Sequence, residues 1–283
     1  MERIAVLGLG LIGGSLALAL RHAGVAEQIA GYDANPDTIR RAKERGIVTH
    51  VCTTAEEAVQ GAELVILATP ILAMPALLKS IAPALKPGTL VTDTASTKVQ
   101  VVEWATTLLP NNIVFVGGHP MAGRERSGID AADAGLFEGC TYCLTPTIET
   151  PSDAVARMSE VVTRLLAHPL LLDAQEHDRL VAGISHLPFV LSSALVRMLG
   201  QDERWSHMAA LAASGYRDMS RLAAGSPTMY RDICWTNKEA IVDWIDSLVM
   251  ELANLRSRIA SGDDTLEHYF AQAKHIRDGV HNL

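Results

Sequence analysis

Along the first 172 residues, short apolar runs alternate with longer amphipathic stretches, the pattern of a parallel sheet with crossover helices. The runs predict strands at Arg3–Leu7, Gln28–Tyr32, Leu64–Ala68, Thr89–Thr92, Ile113–Val116, Thr141–Leu144 and Leu170–Leu172, with a weaker one at Val48–Cys52. Helices are predicted over Pro36–Arg45, Ala73–Ala84, Lys98–Leu109 and Asp153–Ala167. From about Asp173 the strand signals stop and apolar residues recur at three- and four-residue spacing, as in the stripe Ile184, Leu187, Leu191, Ala194, Leu195 and Met198. Pro188 marks the first turn of a helix or a kink in one. Gly200, Gly215, Gly225-Ser226-Pro227 and Gly262 read as breaks between helices. An α/β domain over residues 1–172 is therefore expected, followed by an all-helical domain over 173–283. The usual reasons for such an addition are a substrate cleft between the domains and a dimer interface.

A chain of 283 residues suits two domains of ordinary size, and a net charge of −8 argues against a nucleic-acid partner held through phosphates. An anionic substrate would need a local cluster of positive groups. The four cysteines, Cys52, Cys140, Cys143 and Cys234, are too few and scattered for a disulfide framework. Cys140-Thr141-Tyr142-Cys143 is formally C-x-x-C, but it sits in a predicted strand with no second pair, so no metal site is expected. The start of the chain lacks the marks of a signal peptide, and no uninterrupted apolar run reaches the length of a membrane span. The expectation is a soluble cytoplasmic protein without a membrane partner.

The first motif is Gly8-Leu9-Gly10-Leu11-Ile12-Gly13-Gly14-Ser15, placed directly after one predicted strand and opening a helix. It fits G-x-G-x-x-G at Gly8, Gly10 and Gly13. The first glycine makes a tight turn, the second lets backbone approach a pyrophosphate, and the third lets helix pack on strand. Asp33 follows at the end of the second strand, where a carboxylate bonds the ribose hydroxyls of NAD and repels the 2′-phosphate of NADP. A purely structural turn is the competing reading. Arg40-Arg41 reads as a solvated face, with some room left for NADP.

The second constellation, Gly117-Gly118-His119-Pro120-Met121-Ala122-Gly123-Arg124-Glu125-Arg126-Ser127-Gly128, follows the Ile113–Val116 strand, at the sheet edge where ligands bind in open α/β folds. His119 there is either a proton acceptor or a surface-loop histidine, and Glu125 could orient it or hold a substrate hydroxyl. In Asp93-Thr94-Ala95-Ser96-Thr97-Lys98, Ser96 is a hydrogen-bond partner for a ligand, an N-cap for the next helix, or both. In the helical half, His186 in Ser185-His186-Leu187-Pro188 and Arg217 in Ser214-Gly215-Tyr216-Arg217-Asp218 each read as solvated or helix-capping residues. Arg217 gains weight because an anionic substrate calls for a planar bidentate partner.

Taken together, GLGLIGGS, DTASTK, GGHPMAG with RERSG, LFEG, EHDRL, SHLP and SGYRDMSRLA resemble the prephenate and arogenate (cyclohexadienyl) dehydrogenases of tyrosine biosynthesis, in order from about residue 3 to 260. The resemblance implies a Rossmann-type domain, a helical dimerisation domain, an active site between them, and NAD-dependent oxidative decarboxylation of prephenate to 4-hydroxyphenylpyruvate, or of arogenate directly to tyrosine. It implies that His119 takes the proton of the substrate's ring hydroxyl and that Ser96 assists it. Glu125 would lie in the polar network, Arg217 would hold the ring carboxylate, and His186 would be a second substrate-contacting histidine. Tyr230 matches a position where some relatives carry a Trp reaching over from the dimer partner. The cofactor set read from the chain is Gly8, Gly10, Leu11, Ile12, Gly13, Asp33, Thr69, Pro70 and Thr94. No chorismate mutase segment is expected before Met1, and no regulatory ACT domain after Leu283. Arginines near His119 lean toward the more anionic prephenate. Two other readings remain: a β-hydroxyacid-type dehydrogenase, which would need a catalytic lysine in the helical half, where Lys238 is the only lysine between Lys98 and Lys274, and a non-catalytic NAD-binding regulator.

Overall fold

The structure, a computed structural model, describes residues 1–123 and 127–280. Eight strands, β1 (Arg3–Leu7), β2 (Gln28–Tyr32), β3 (His50–Val51), β4 (Leu64–Leu67), β5 (Leu90–Asp93), β6 (Val114–Pro120), β7 (Thr141–Thr145) and β8 (His168–Leu171), form one sheet in the order β3-β2-β1-β4-β5-β6-β7-β8. All neighbours are parallel except β6 and β7, which run antiparallel. The strand order reverses about β1 and β4, so a crevice opens at their C-terminal ends, the usual ligand position in such sheets.

Helices α1 (Leu11–His22), α2 (Pro36–Glu44), α3 (Ala55–Val59), α4 (Met74–Ile81), α5 (Val99–Leu108) and α6 (Ser152–Arg164) accompany the sheet. Alternate residues of β1 feed opposite faces: Ile4 and Val6 join Leu16, Leu20, Ile29 and Leu64 on one side, Ala5 and Leu7 join Val65, Leu67, Val91 and Leu78 on the other. Local chemistry sets the ends. Asn35 caps α2 by accepting the Asp37 N–H at 2.9 Å, with Pro36 in the first turn.

The helical unit contains α7 (Ala174–Val181), α8 (Leu187–Gly200), α9 (Trp205–Ala210), α10 (Ser214–Ser220), α11 (Pro227–Thr236), α12 (Lys238–Ser261) and α13 (Leu266–Asp278). A π-helical turn, Ala182–His186, joins α7 to α8, and Pro188, which has no N–H to give, lies in the first turn of α8. Phe189, Ile233 and Ile241 are buried in the core on the Ala5/Leu7 face of the sheet, each worth roughly 1.5–3 kcal/mol of transfer free energy. That burial docks the two units.

Three sequence expectations change. First, β6 runs on through Gly117-Gly118-His119-Pro120, so His119 is a strand residue rather than part of a loop. The glycines make this pairing fit: a Cβ on Gly117 would overlap the Thr145 hydroxyl, and one on Gly118 the Asp93 carbonyl. Second, the apolar stripe that runs from the π-helical turn into α8 is not the inward face. Ile184 and Met198 are largely exposed, whereas Ala182, His186, Phe189 and Ser192 are buried. The run 174–200 is long and apolar enough to cross a membrane by length and composition alone, although polar residues interrupt it throughout its first turns. In the fold its His177, Asp178 and His186 are buried polar groups. Third, Gly215 lies inside α10 rather than between helices, while Gly262 ends α12 in the left-handed conformation as a break should.

Candidate active site

The crevice is a cleft of about 1040 Å³, floored by the ends of β1, β4, β5 and β6 and roofed by residues 221–233. A second cavity of about 590 Å³ shares Gly10, Ala68, Thr69 and Pro70 with it and carries Asp33. At the turn after β1, Gly8 has φ +92°, and its missing Cβ leaves room for the Ala68 carbonyl; a Cβ on Gly13 would overlap the Gly8 carbonyl. Gly10 has nothing within 4 Å of where a Cβ would sit. Its open space faces both cavities.

The residues fit a dinucleotide. Gly10, Leu11 and Ile12 line the cleft at the start of α1, whose first N–H groups favour phosphate. Thr69 Oγ1 is buried without a hydrogen-bond partner beside both cavities, and Pro70 and Thr94 line the cleft with it. Asp33 accepts the Leu9 N–H at 2.7 Å and the Asn35 N–H at 2.9 Å, which fixes the carboxylate at the rim of the second cavity. Arg40 is engaged by Asp37 and Glu44 at 3.1 and 3.0 Å, and Arg41 pairs with Asp130. Neither arginine lines that cavity.

His119 and Ser96 both face the cleft. The backbone before His119 is held by a buried ion pair: Lys98 Nζ contacts Asp93 and donates to the Gly118 carbonyl at 2.6 Å, while Asp93 accepts the Gly118 N–H at 3.0 Å. Burial lowers the Lys98 ammonium, with Asp93 opposing. Ser96 does not cap the next helix. The carboxylate of Asp178 does, accepting the N–H groups of Lys98 and Val99 at 2.7 and 2.9 Å.

Behind His119 lies a chain of buried polar groups. His119 Nδ1 is 2.9 Å from His177 Nε2, and His177 Nδ1 is 2.8 Å from Asp178 Oδ1. Asn237 donates to the Asp178 carbonyl at 2.7 Å and lies 3.2 Å from His186 Nδ1. Burial first, then the neighbouring His177, Lys98 and His186, holds the His119 imidazole well below its ordinary pKa, so it is neutral at pH 7. His186 is lowered to about 4, chiefly by burial. It is buried rather than solvated, its Nε2 lacks a partner, and it does not line the cleft.

Arg217 is exposed on α10 and does not line the cleft; Arg221, one turn further on, does. Among the described lining residues it is the one with a cationic side chain. Tyr230 lines the cleft from its own chain, stacked on Phe189 with centroids 4.0 Å apart and its hydroxyl donating to the Leu222 carbonyl at 2.6 Å. Glu125, with Arg124 and Arg126, lies outside the described residues. Cys140 and Cys143 are free thiols. His50, Cys52 and Glu57 bring potential ligand atoms within 4.8 Å of one another, but none of the three lines the cleft.

Sequence reasoning missed three participants. His177 and Asp178 stand in the quoted EHDRL segment, where an adjacent His and Asp facing inward on an amphipathic helix was the available signal. Arg221 stands four residues after Arg217, the spacing that keeps two residues on one helix face, so only packing distinguishes them.

Two family models match the chain: the nucleotide-binding domain of prephenate dehydrogenase over residues 16–171, and its dimerization domain over residues 173–277. The prephenate dehydrogenase of Bacillus subtilis strain 168 is 36% identical over 282 residues, covering 99% of this chain and 76% of its own length. The cyclohexadienyl dehydrogenase of Zymomonas mobilis is 35% identical over 272 residues, covering 95% of this chain and 92% of its own. Among solved structures, prephenate dehydrogenase from A. aeolicus in complex with hydroxyphenyl propionate and NAD+ superposes with a TM-score of 0.92 at 30% identity, over 98% of this chain and 97% of that one.

Proposed function

The chain belongs to the prephenate dehydrogenase family, and from that premise we propose that it is the NAD-dependent enzyme converting prephenate to 4-hydroxyphenylpyruvate and CO2 in tyrosine biosynthesis. The observation that carries this reading is one cleft lined together by the glycine turn, a neutral, buried His119 and Arg221.

When bound, NAD+ supplies the hydride acceptor. Gly8, Gly10, Leu11, Ile12 and Gly13 would hold its pyrophosphate, with Thr69, Pro70 and Thr94 along its length, and Asp33 would bond the ribose hydroxyls. His119 takes the proton of the ring hydroxyl as hydride leaves the same carbon, which becomes a ketone. Ser96 bonds the same oxygen. Loss of CO2 from the opposite ring carbon then sends its electron pair through the ring to that oxygen, where the proton returns. Arg221 pairs with a substrate carboxylate, the role that the sequence alone assigned to Arg217. Tyr230 and Phe189 wall the ring. His186 acts from behind the lining, and Glu125 retains its assignment only from the sequence.

The helical unit would make a homodimer. Val249, Met250 and Leu252 on α12, with Phe270 and Ile276 on α13, are large, apolar and exposed, and the matching family model describes a dimerization domain. Light scattering of the purified chain tests this. A cytoplasmic location accords with a biosynthetic dehydrogenase that draws on NAD.

Arogenate is the second substrate reading, favoured by the likeness to a cyclohexadienyl dehydrogenase. Reduced-nicotinamide formation with NAD or NADP, offered prephenate and arogenate in parallel, tests both. Turnover of prephenate with NAD is expected, and silence in all four combinations would overturn the reading.

A further inference from the structure

The polar chain behind His119 has a direction. Asp178 Oδ1 is a carboxylate oxygen and can only accept, so the proton between it and His177 sits on His177 Nδ1. With that as the one proton on its ring, His177 offers a lone pair at Nε2, the atom facing His119 Nδ1 at 2.9 Å. That contact is a hydrogen bond only if His119 Nδ1 carries the proton. His119 Nε2 is thereby left with the lone pair, on the ring of a residue that lines the cleft.

We infer that His177 and Asp178 are positioning residues that lock His119 in the one neutral tautomer able to accept a proton through Nε2. The two residues belong to α7 of the helical unit, whereas His119 belongs to β6 of the α/β unit. Asp178 also anchors α7 to the N-terminus of α5 through the Lys98 and Val99 N–H groups. The same carboxylate thus docks the two units and sets the proton on the base, so the base is formed only when the units are together. This inference rests on the proposed role of His119 for its consequence in catalysis, and on the geometry alone for the tautomer.

The test separates the two. The protein labelled with 15N-histidine is examined at pH 7.5 without substrate by long-range proton–nitrogen correlation, with the His119 signals assigned by their loss in His119→Asn. The wild-type ring is expected to show a protonated Nδ1 and an unprotonated Nε2. His177→Gln, whose side-chain oxygen can accept in place of Nε2, should keep that pattern; His177→Phe, which fills the space without an acceptor, should give a mixture of tautomers. In steady-state assays, kcat should fall about 100-fold or more in His177→Phe with the substrate KM changed less than about threefold, while His177→Gln stays within about tenfold of wild type. A wild-type proton on Nε2, or equal loss in the Gln and Phe variants, would overturn the inference. Should His177→Phe not fold, the wild-type spectrum decides. A protonated Nδ1 in a protein that turns over no cyclohexadienyl acid would overturn the proposed function and leave the tautomer assignment standing.

Discussion

Asp178, on the first helix of the helical unit, accepts the backbone N–H of Lys98, at the start of α5 in the α/β unit, at 2.7 Å. Both residues are buried, at 3% and 0% exposure. Its second oxygen takes the Val99 N–H. Removing this carboxylate leaves two helix-end donors without an acceptor in a dry junction, at a cost of about 2–3 kcal/mol. Asp178→Ala is therefore expected to lower the melting temperature by about 5–10 °C. Calorimetry on the apo protein checks this, and an unchanged transition would mean that water replaces the cap.

Arg221 and Arg217 separate under mutation. Arg221→Ala removes the charge that lines the cleft and should raise the substrate KM by at least tenfold, through the loss of a charge-assisted pair. Arg217→Ala should change it less than about threefold. Equal effects in initial-rate assays would place Arg217 in the cleft after all.

The neutral state of His119 predicts a pH profile. Burial lowers its pKa, so the base stays unprotonated as pH falls through the ordinary imidazole range near 6.5. The acid limb of kcat/KM should therefore lie well below pH 6.5, and His119→Asn should cost about two to four orders of magnitude in kcat. An acid limb centred at or above pH 6.5 would show a base in contact with water.

Stability should depend on pH through His186. Its folded pKa is about 4 against 6.5 for an ordinary imidazole, so between these values the unfolded chain binds a proton that the folded chain refuses. Its contribution is complete above pH 6.5 and is lost as pH falls toward 4, by about 3 kcal/mol. Denaturant titrations of wild type and His186→Leu at pH 7 and 4.5 read the difference. The variant should lose less stability on acidification, and parallel losses would contradict the depressed pKa.

Two glycines of one motif should fail differently. A methyl at Gly10 meets no atom within 4 Å, so Gly10→Ala should leave the apo melting temperature within about 1 °C while raising the KM for NAD at least tenfold, because the methyl enters the space meant for phosphate. A methyl at Gly13 collides with the Gly8 carbonyl and with Ala68. Gly13→Ala should unfold several degrees earlier.

The alternation of apolar runs and amphipathic stretches by itself determined the α/β order, with β1 and β2 at the predicted residues, and the glycine turn and Asp33 were legible because their chemistry is local in sequence. A turn, a cap or a period is written within a few residues, and backbone sterics read it the same way in any context. What only the tertiary structure decided depends on contacts between distant segments. The extension of β6 through His119 requires β7 on its far side, with Thr145 against Gly117. Arg221 replaces Arg217 in the cleft because of where α10 stops and packs on α8. His177, Asp178 and Lys98 lie up to 80 residues apart in the chain, and nothing in the local pattern of one reports the others. Their buried groups find partners only when the helical unit closes on the sheet, because a buried charge or amide is tolerable only with a partner in reach.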